Sequence, residues 1–162
     1  MSYLLALFMH PIVKIIYMHS KRDFKIYLLD DDLFYINIFQ QHLSNLGYHN
    51  IESFINPMDC FDHLNPAPDI IFYDHGVDFS KGLEVLKSIK RLNADIYLIF
   101  ICGADEVEAV IKSLKYGAFD YFVKGENDSK NIEMVLSKIY RVRELLQKNN
   151  ILRFRKFQRI SF

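Results

Sequence analysis

Three short apolar runs in this chain each stop at a charged residue, and this repeated ending limits the folds that the chain can adopt. The runs cover residues 25–29, 69–73 and 119–123, and the charged residues that follow them are Asp30, Asp74 and Lys124. Runs that are apolar throughout are typical of strands buried on both faces of a parallel sheet. Because the carboxyl ends of parallel strands meet at one edge, the pattern predicts a carboxylate cluster that faces one lysine.

Amphipathic stretches separate the apolar runs. Their periodicity predicts helices whose inward faces include Leu33, Met58, Ile111, Leu114 and Leu146. The predicted strands are 25–29, 51–54, 69–73, 96–101 and 119–123, and the predicted helices are 33–46, 57–64, 82–92, 105–116 and 128–147. We therefore predict an α/β fold, a doubly wound five-stranded parallel sheet with helices on both faces.

The composition narrows the class of protein without naming a function. Its 162 residues, 51% of them hydrophobic, suffice for one domain with short appendages. Lysine plus arginine and aspartate plus glutamate both number 20, so net charge provides no general attraction to nucleic acid or acidic lipid. Cys60 and Cys102 match no metal-ligand spacing and are too few for a disulfide framework, which favours a cytoplasmic location.

The sequence divides into three segments: an N-terminal hydrophobic extension at 1–23, a domain at 24–148, and a basic and aromatic tail at 149–162. Polar residues interrupt the extension, which falls short of the roughly 20 apolar residues of a spanning helix. It is an over-extended start, a peripheral anchor or an extra packed element, and we favour the first or the third. We expect the tail to be a frayed terminus, although acidic lipid, RNA or a partner groove would also suit it. Membrane contact by either segment is the less favoured expectation.

The acidic edge suggests a particular chemistry. Asp30, Asp31 and Asp32 are consecutive, and converging carboxylates repel each other unless a cation lies among them. Mg²⁺ suits such a site because it prefers oxygen ligands. A metal-held carboxylate can also attack a phosphoryl group and form an acyl phosphate, whose oxygens Lys124 would neutralise. Acidic residues at strand ends are also common helix caps, and we expect Asp32 to be one.

With these residues placed, the chain resembles the response-regulator receiver domain of two-component signalling over about 25–147. The resemblance rests on four segments: the acidic end of the first strand at 28–32, Asp74, the helix start Gly82-Leu83, and the block 116–124 that ends in Lys124. It implies a flavodoxin-like sheet of order 2-1-3-4-5. It also implies phosphotransfer to the chain from a histidine kinase or a histidine phosphotransfer protein.

The resemblance also implies roles for individual residues. Asp74 would be the phosphorylated residue and, with Lys124, would make up the catalytic pair. The Mg²⁺ ligands would be Asp30, Asp31, Asp74 and the backbone carbonyl of Gly76. The chain would not be an enzyme beyond accepting its own phosphoryl group.

The chain departs from the family pattern at Cys102, at Gly125 and in the loop at 75–81, which lacks the usual proline. Cys102 stands where the family places Ser or Thr, and a thiol is a weaker donor than a hydroxyl. The contact that would let Tyr121, at the aromatic switch position, swing inward is therefore altered. Gly125 replaces the usual proline after Lys124, so we expect a trans peptide bond there. Our hypothesis is a phosphorylatable receiver with an altered switch.

Other classes remain as alternatives. A pseudo-receiver would bind partners without any phosphate cycle. An Mg²⁺-dependent phosphohydrolase would usually carry Asp-x-Asp after the first strand, whereas the candidate nucleophile here follows the third. A dinucleotide-binding protein is excluded because no glycine-rich turn follows the first strand. Among partners, we also expect that a homodimer could form through the last helix–strand–helix face. No direct DNA binding is expected, because the tail is too short for an output domain.

Overall fold

The computed structural model describes residues 23–74, 76 and 79–160. These residues form a single alternating series of strands and helices. In chain order the elements are β1 (Ile26–Leu29), α1 (Leu33–Asn45), β2 (Ile51–Phe54), α2 (Pro57–Asp62), β3 (Ile70–Asp74), α3 (Phe79–Leu92), β4 (Tyr97–Cys102), α4 (Val107–Ser113), β5 (Asp120–Val123) and α5 (Asp128–Ile160). Short 3-10 turns, Ala104–Glu106 and Leu114–Tyr116, flank α4.

The five strands form one parallel sheet in the order β2-β1-β3-β4-β5, which confirms the predicted fold class. Each strand end lies within one residue of its predicted position. In the register, Leu29 pairs with Tyr73, Asp74 with Ile101, and Cys102 with Val123. The carboxyl ends of β1, β3, β4 and β5 therefore lie side by side at one edge.

The sheet is buried on both faces, as the continuous apolar runs predict. Ile26 and Leu28 of β1 face a core shared with α1 and α5, where Phe39 and Ile132 pack. Alternate residues of the same strand, Tyr27 and Leu29, face a second core shared with α2 and α3. The alternation follows from the two-residue repeat of a strand.

Helix α1 begins where the acidic triplet ends. The Asp32 side chain caps the helix by accepting a hydrogen bond from the Phe34 N–H at 2.9 Å, so the predicted cap is confirmed. Ile36, Phe39 and Leu43 are buried, as their spacing predicts.

Five predicted inward-facing positions are wrong: the side chains of Leu33, Met58, Ile111, Leu114 and Leu146 are exposed. Ile111 lies in α4, a helix of only seven residues, and Leu114 begins the 3-10 turn that follows it, so the regular helix predicted over 105–116 is interrupted. Leu33 is the first residue of its helix, and helical side chains point towards the N-terminus, beyond the end of the sheet. Met58 lies in a helix of six residues whose buried position is taken by Cys60. Leu146 lies past the part of α5 that packs on the core, whose buried residues are Ile132, Val135, Leu136 and Ile139.

Helix α5 is longer than predicted, since it continues to Ile160 through the Asn149-Asn150 pair where we expected it to end. Asparagine costs a helix only a few tenths of a kcal/mol, about as much as many ordinary residues, and the flanking lysine and arginine residues favour helix. The hydrophobic extension, apart from Asp23, lies outside the described residues, so the choice among its three readings stays open. In the described part of the chain, every helix is too short or too polar to cross a membrane.

Candidate functional site

Three strands bring the charged residues together at the carboxyl edge of the sheet. Asp30 follows β1, and its N–H donates to the Phe54 carbonyl at 3.1 Å, which extends the β1–β2 pairing by one residue. Asp74 is the last residue of β3, in register with Ile101. The Lys124 N–H donates to the Cys102 carbonyl at 2.9 Å, which extends the β4–β5 pairing in the same way. Backbone hydrogen bonds therefore fix the position of each residue.

The Lys124 ammonium lies between the two carboxylates. Its Nζ is 3.1 Å from Oδ2 of Asp30 and forms an ion pair with Oδ2 of Asp74. The side chains of Asp30, Asp74 and Lys124 retain only 9%, 11% and 18% of their exposure, so solvent screens these contacts weakly. The structure thus brings together three residues that are far apart in the sequence.

Local backbone groups orient the two carboxylates. The N–H of Asp32 donates to Oδ1 of Asp30, and the N–H of Gly76 donates to Oδ1 of Asp74, each at 2.8 Å. Gly76 has a φ of +62°, which a residue with a side chain rarely adopts. Each carboxylate therefore has one oxygen held by the backbone and the other by Lys124.

Burial and charge act in opposite directions on this cluster. Burial raises the pKa of Asp30, the Asp32 N–H and Lys124 lower it, and the neighbouring Asp74 charge raises it, with a net upward shift. Burial lowers the pKa of Lys124, but its hydrogen bonds and attraction to Asp74 and Asp30 outweigh burial and raise it. The lysine therefore stays charged, and one positive charge faces two carboxylates.

The predicted Mg²⁺ ligands are only partly assembled. Asp31 is exposed, and the described residues contain no group of three acidic, histidine or cysteine side chains close enough to hold a metal ion. Instead, the Lys124 ammonium contacts both inner carboxylates. The donor chemistry still fits Mg²⁺, because Asp30, Asp31, Asp74 and the Gly76 carbonyl all offer oxygen and Mg²⁺ keeps several of its waters.

Cys102 and Tyr121, the two predicted switch residues, lie on neighbouring strands. Cys102 is fully buried, and its Sγ lies 3.6 Å from the Phe122 carbonyl oxygen, to which the thiol donates. Burial, with the charges of Glu106, Asp74 and Asp105, raises the pKa of Cys102 to about 11, so the thiol stays protonated. Tyr121 pairs with Phe100 and is partly buried against the core on the α3 side. The Lys124–Gly125 bond is trans, as expected.

Two residues at the site were not singled out from the sequence. The Tyr35 ring lies with its centroid 3.8 Å from Nζ of Lys124, a cation–π distance. The Glu106 carboxylate accepts the N–H of Gly103 at 2.7 Å. The second contact has a sequence signal, since Glu106 lies three residues after Gly103, at capping-box spacing. Tyr35 has a weaker signal, as an aromatic residue in the helical turn after the acidic triplet.

Comparison with known proteins agrees with this geometry. Residues 26–136 match the family described as the response regulator receiver domain. The response regulator protein TodT of Pseudomonas putida is 29% identical over 106 residues, which cover 65% of this chain and 46% of TodT. The transcriptional regulatory protein CssR of Bacillus subtilis is 27% identical over 131 residues, which cover 79% of this chain and 58% of CssR. The chain thus spans about half the length of these relatives.

Solved structures share the fold. The receiver domain of NtrX from Brucella abortus superposes with a TM-score of 0.63 at 22% identity, over 72% of this chain and 98% of that one. A CheY-like receiver domain protein from Methanospirillum hungatei gives a TM-score of 0.61 at 23% identity, over 70% of this chain and 91% of that one. The family match at residues 26–136 includes all five strands of the sheet. The chain therefore belongs to the response regulator receiver domain family.

Proposed function

We propose that this receiver domain accepts a phosphoryl group on Asp74 in an Mg²⁺-dependent reaction, and that the modification changes a partner-binding surface. The observation that carries the proposal is the Lys124 ammonium held between Asp30 and Asp74. A lysine in this position can neutralise the charge of a phosphoryl group attached to Asp74. The general role, a receiver domain of a response regulator in two-component signalling, follows from family membership.

The proposed transfer is a simple displacement. A carboxylate oxygen of Asp74 attacks the phosphorus of a donor whose nitrogen group is already protonated. The P–O bond forms as the P–N bond breaks, and the nitrogen keeps the electron pair and leaves as neutral imidazole, or as ammonia from phosphoramidate. The hydrogen bond from the Gly76 N–H would hold one oxygen of Asp74 and leave Oδ2 to react. Lys124 would then move from the carboxylate to the phosphoryl oxygens.

Mg²⁺ would be bound by Asp30, Asp31 and Asp74 and by the carbonyl oxygen of Gly76. When bound, it would neutralise charge on the transferred phosphoryl group. Asp30 is suited to a cation because its raised pKa reflects a buried carboxylate that Lys124 alone does not fully compensate.

The proposed donors are a histidine kinase or a histidine phosphotransfer protein, whose phosphorylated imidazole has the required P–N bond. The proposed location is the cytoplasm. Pairing of two copies through the α4–β5–α5 face and the lack of direct DNA contact by these residues also remain proposals.

A pseudo-receiver is the second candidate, and Cys102 is the observation that favours it. Its thiol donates to the Phe122 carbonyl and not towards Asp74, so a phosphoryl group would lack a strong side-chain donor from β4. In that case the surface would bind partners without a phosphate cycle.

Reaction with phosphoramidate, with and without Mg²⁺, distinguishes the two candidates. Intact-mass measurement should show one added phosphoryl group in the wild type with Mg²⁺, and none in Asp74→Asn. Asp62→Asn is the matched control, because it removes an exposed carboxylate elsewhere on the surface and should be modified like the wild type. Absence of Mg²⁺-dependent modification in the wild type, by phosphoramidate or by phosphorylated histidine proteins, would leave the pseudo-receiver as the better description.

A further inference from the structure

The residues just after β4 form a second contact network beside Asp74. Since Asp74 pairs with Ile101, Cys102 at the end of β4 and Gly103 just after it lie one and two residues beyond the partner of Asp74, at the same edge. Two hydrogen-bond donors of this segment are the Cys102 thiol and the Gly103 N–H. Both already have acceptors within the chain.

The Glu106 carboxylate occupies the Gly103 N–H. Its Oε2 lies 2.7 Å from the Gly103 nitrogen, a charge-assisted hydrogen bond. The thiol of Cys102 donates to the Phe122 carbonyl, 3.6 Å away. The Cys102 thiol and the Gly103 N–H therefore both donate to acceptors within the chain and not to Asp74.

The absence of a side chain at Gly103 lets the acidic residues approach this backbone. A Cβ at this position would lie 2.8 Å from Oδ1 of Asp105 and 3.4 Å from Oε2 of Glu106. A side chain here would thus force the Asp105 carboxylate to move, while the distance to Glu106 is an ordinary contact. Burial is the main cause of the raised pKa of Cys102, and the charges of Glu106, Asp74 and Asp105 raise it further, which agrees with acidic groups near this thiol.

We propose that Glu106 is a positioning residue that competes with a phosphoryl group on Asp74: its carboxylate holds the Gly103 N–H, and phosphorylation requires its release. This inference rests on the proposed function of Asp74. The phosphoryl oxygens and the Glu106 carboxylate are both anions, so they repel each other as well as compete for one donor. Glu106 thereby disfavours phosphorylation of Asp74.

Two substitutions separate charge from hydrogen bonding. Glu106→Gln keeps an oxygen acceptor but removes the charge, and Glu106→Ala removes both. Glu108→Gln is the matched control, because Glu108 is an exposed acid two residues further on in α4. We expect the concentration of beryllofluoride, with Mg²⁺, that half-saturates the protein to fall about tenfold in Glu106→Ala, as loss of a charge-assisted bond predicts. It should fall less in Glu106→Gln and stay unchanged in Glu108→Gln.

The Gly103 amide proton gives a readout that a general loss of stability would not imitate. In the wild type its NMR resonance should shift on saturation with beryllofluoride, as the amide changes acceptor, and in Glu106→Ala it should start from a different position and reach the same endpoint. If the wild type binds beryllofluoride and Glu106→Ala binds it with equal affinity, the inference is wrong while the proposed function stands. If neither protein binds beryllofluoride or reacts with phosphoramidate, the proposed function fails and the inference fails with it. Binding by Glu106→Ala alone would support both.

Discussion

The aromatic ring of Tyr35 lies against the Lys124 ammonium, with its centroid 3.8 Å from Nζ. Lys124 thus has three partners: the ring on one side and the carboxylates of Asp30 and Asp74 on the others. A cation–π contact of this kind is worth about 1–2 kcal/mol when partly desolvated. The first turn of α1 therefore restricts the directions in which the lysine can point.

Replacing Tyr35 tests whether this contact positions the lysine for reaction. We expect Tyr35→Leu to lower the rate of Asp74 modification by phosphoramidate roughly three- to tenfold, because the apolar volume stays but the π face is lost. Tyr35→Phe keeps the face and should react at close to the wild-type rate. A Tyr35→Leu protein that reacts as fast as the wild type would show that the two carboxylates alone position Lys124.

The raised pKa of Asp30 predicts a pH dependence of stability. Burial is its main cause, so the folded chain binds a proton to Asp30 more readily than the unfolded chain does. Between the unfolded and the folded pKa, the free energy of unfolding should therefore fall as the pH rises. Asp30→Asn should remove this dependence and be more stable than the wild type at neutral pH, in urea unfolding measured across pH. Asp62→Asn should keep the wild-type profile; an equal loss of slope there would contradict the assignment to Asp30.

Two phenylalanines of α1 should differ in how much they contribute to the free energy of unfolding, because one is packed in the core and the other is exposed. The Phe39 ring stacks on Phe122, with centroids 5.8 Å apart, and meets Phe72 edge-on. Phe39→Ala should lower the free energy of unfolding by about 3–5 kcal/mol, the range for a buried aromatic residue. Phe34 is on the same helix but exposed, so Phe34→Ala should change it by less than about 0.5 kcal/mol. Urea denaturation of both variants measures the difference.

Much of the fold follows from the apolar runs, because strands buried on both faces must be apolar throughout and because parallel strands align their ends. The same reasoning brings Asp30, Asp74 and Lys124 together, and the structure places them in contact. Element ends are less predictable. The exposure of Leu33 and the continuation of α5 to Ile160 depend on where the sheet ends in space. The periodicity of a single helix carries no information about that end.

The contacts that Tyr35 and Glu106 make at the site have only weak signals in the sequence, for a related reason. Tyr35 and Lys124 are far apart in the chain. They come into contact because the start of α1 lies near the end of β5 in the fold. Glu106 accepts the Gly103 N–H across a short 3-10 turn. The sequence predicts one continuous helix at 105–116 and not this turn. Both contacts depend on the directions of side chains after packing.

The two cysteines should be unreactive in the folded protein. Burial raises the pKa of Cys60 to about 12 and that of Cys102 to about 11, so neither thiol ionises near neutral pH. Because the thiolate is the reactive form, iodoacetamide should alkylate both at least about tenfold more slowly than in the urea-unfolded chain. Mass spectrometry of tryptic peptides distinguishes the two sites. Fast alkylation of Cys102 in the native state would contradict its burial at the end of β4.

Substitutions of Cys102 test what the thiol, in place of the family's hydroxyl, does to anion binding at Asp74. A hydroxyl is a stronger donor than a thiol, and Cys102→Thr places one at the end of β4 next to Gly103. We expect this variant to bind beryllofluoride with Mg²⁺ roughly tenfold more tightly than the wild type, as one added hydrogen bond to a charged group predicts. Cys102→Val is the matched control, since it has the shape of threonine without the donor, and its affinity should not rise. Equal affinities of the Thr and Val variants would mean that the hydroxyl makes no contact with the bound anion. The Gly103 N–H would then be the donor to that anion from the end of β4.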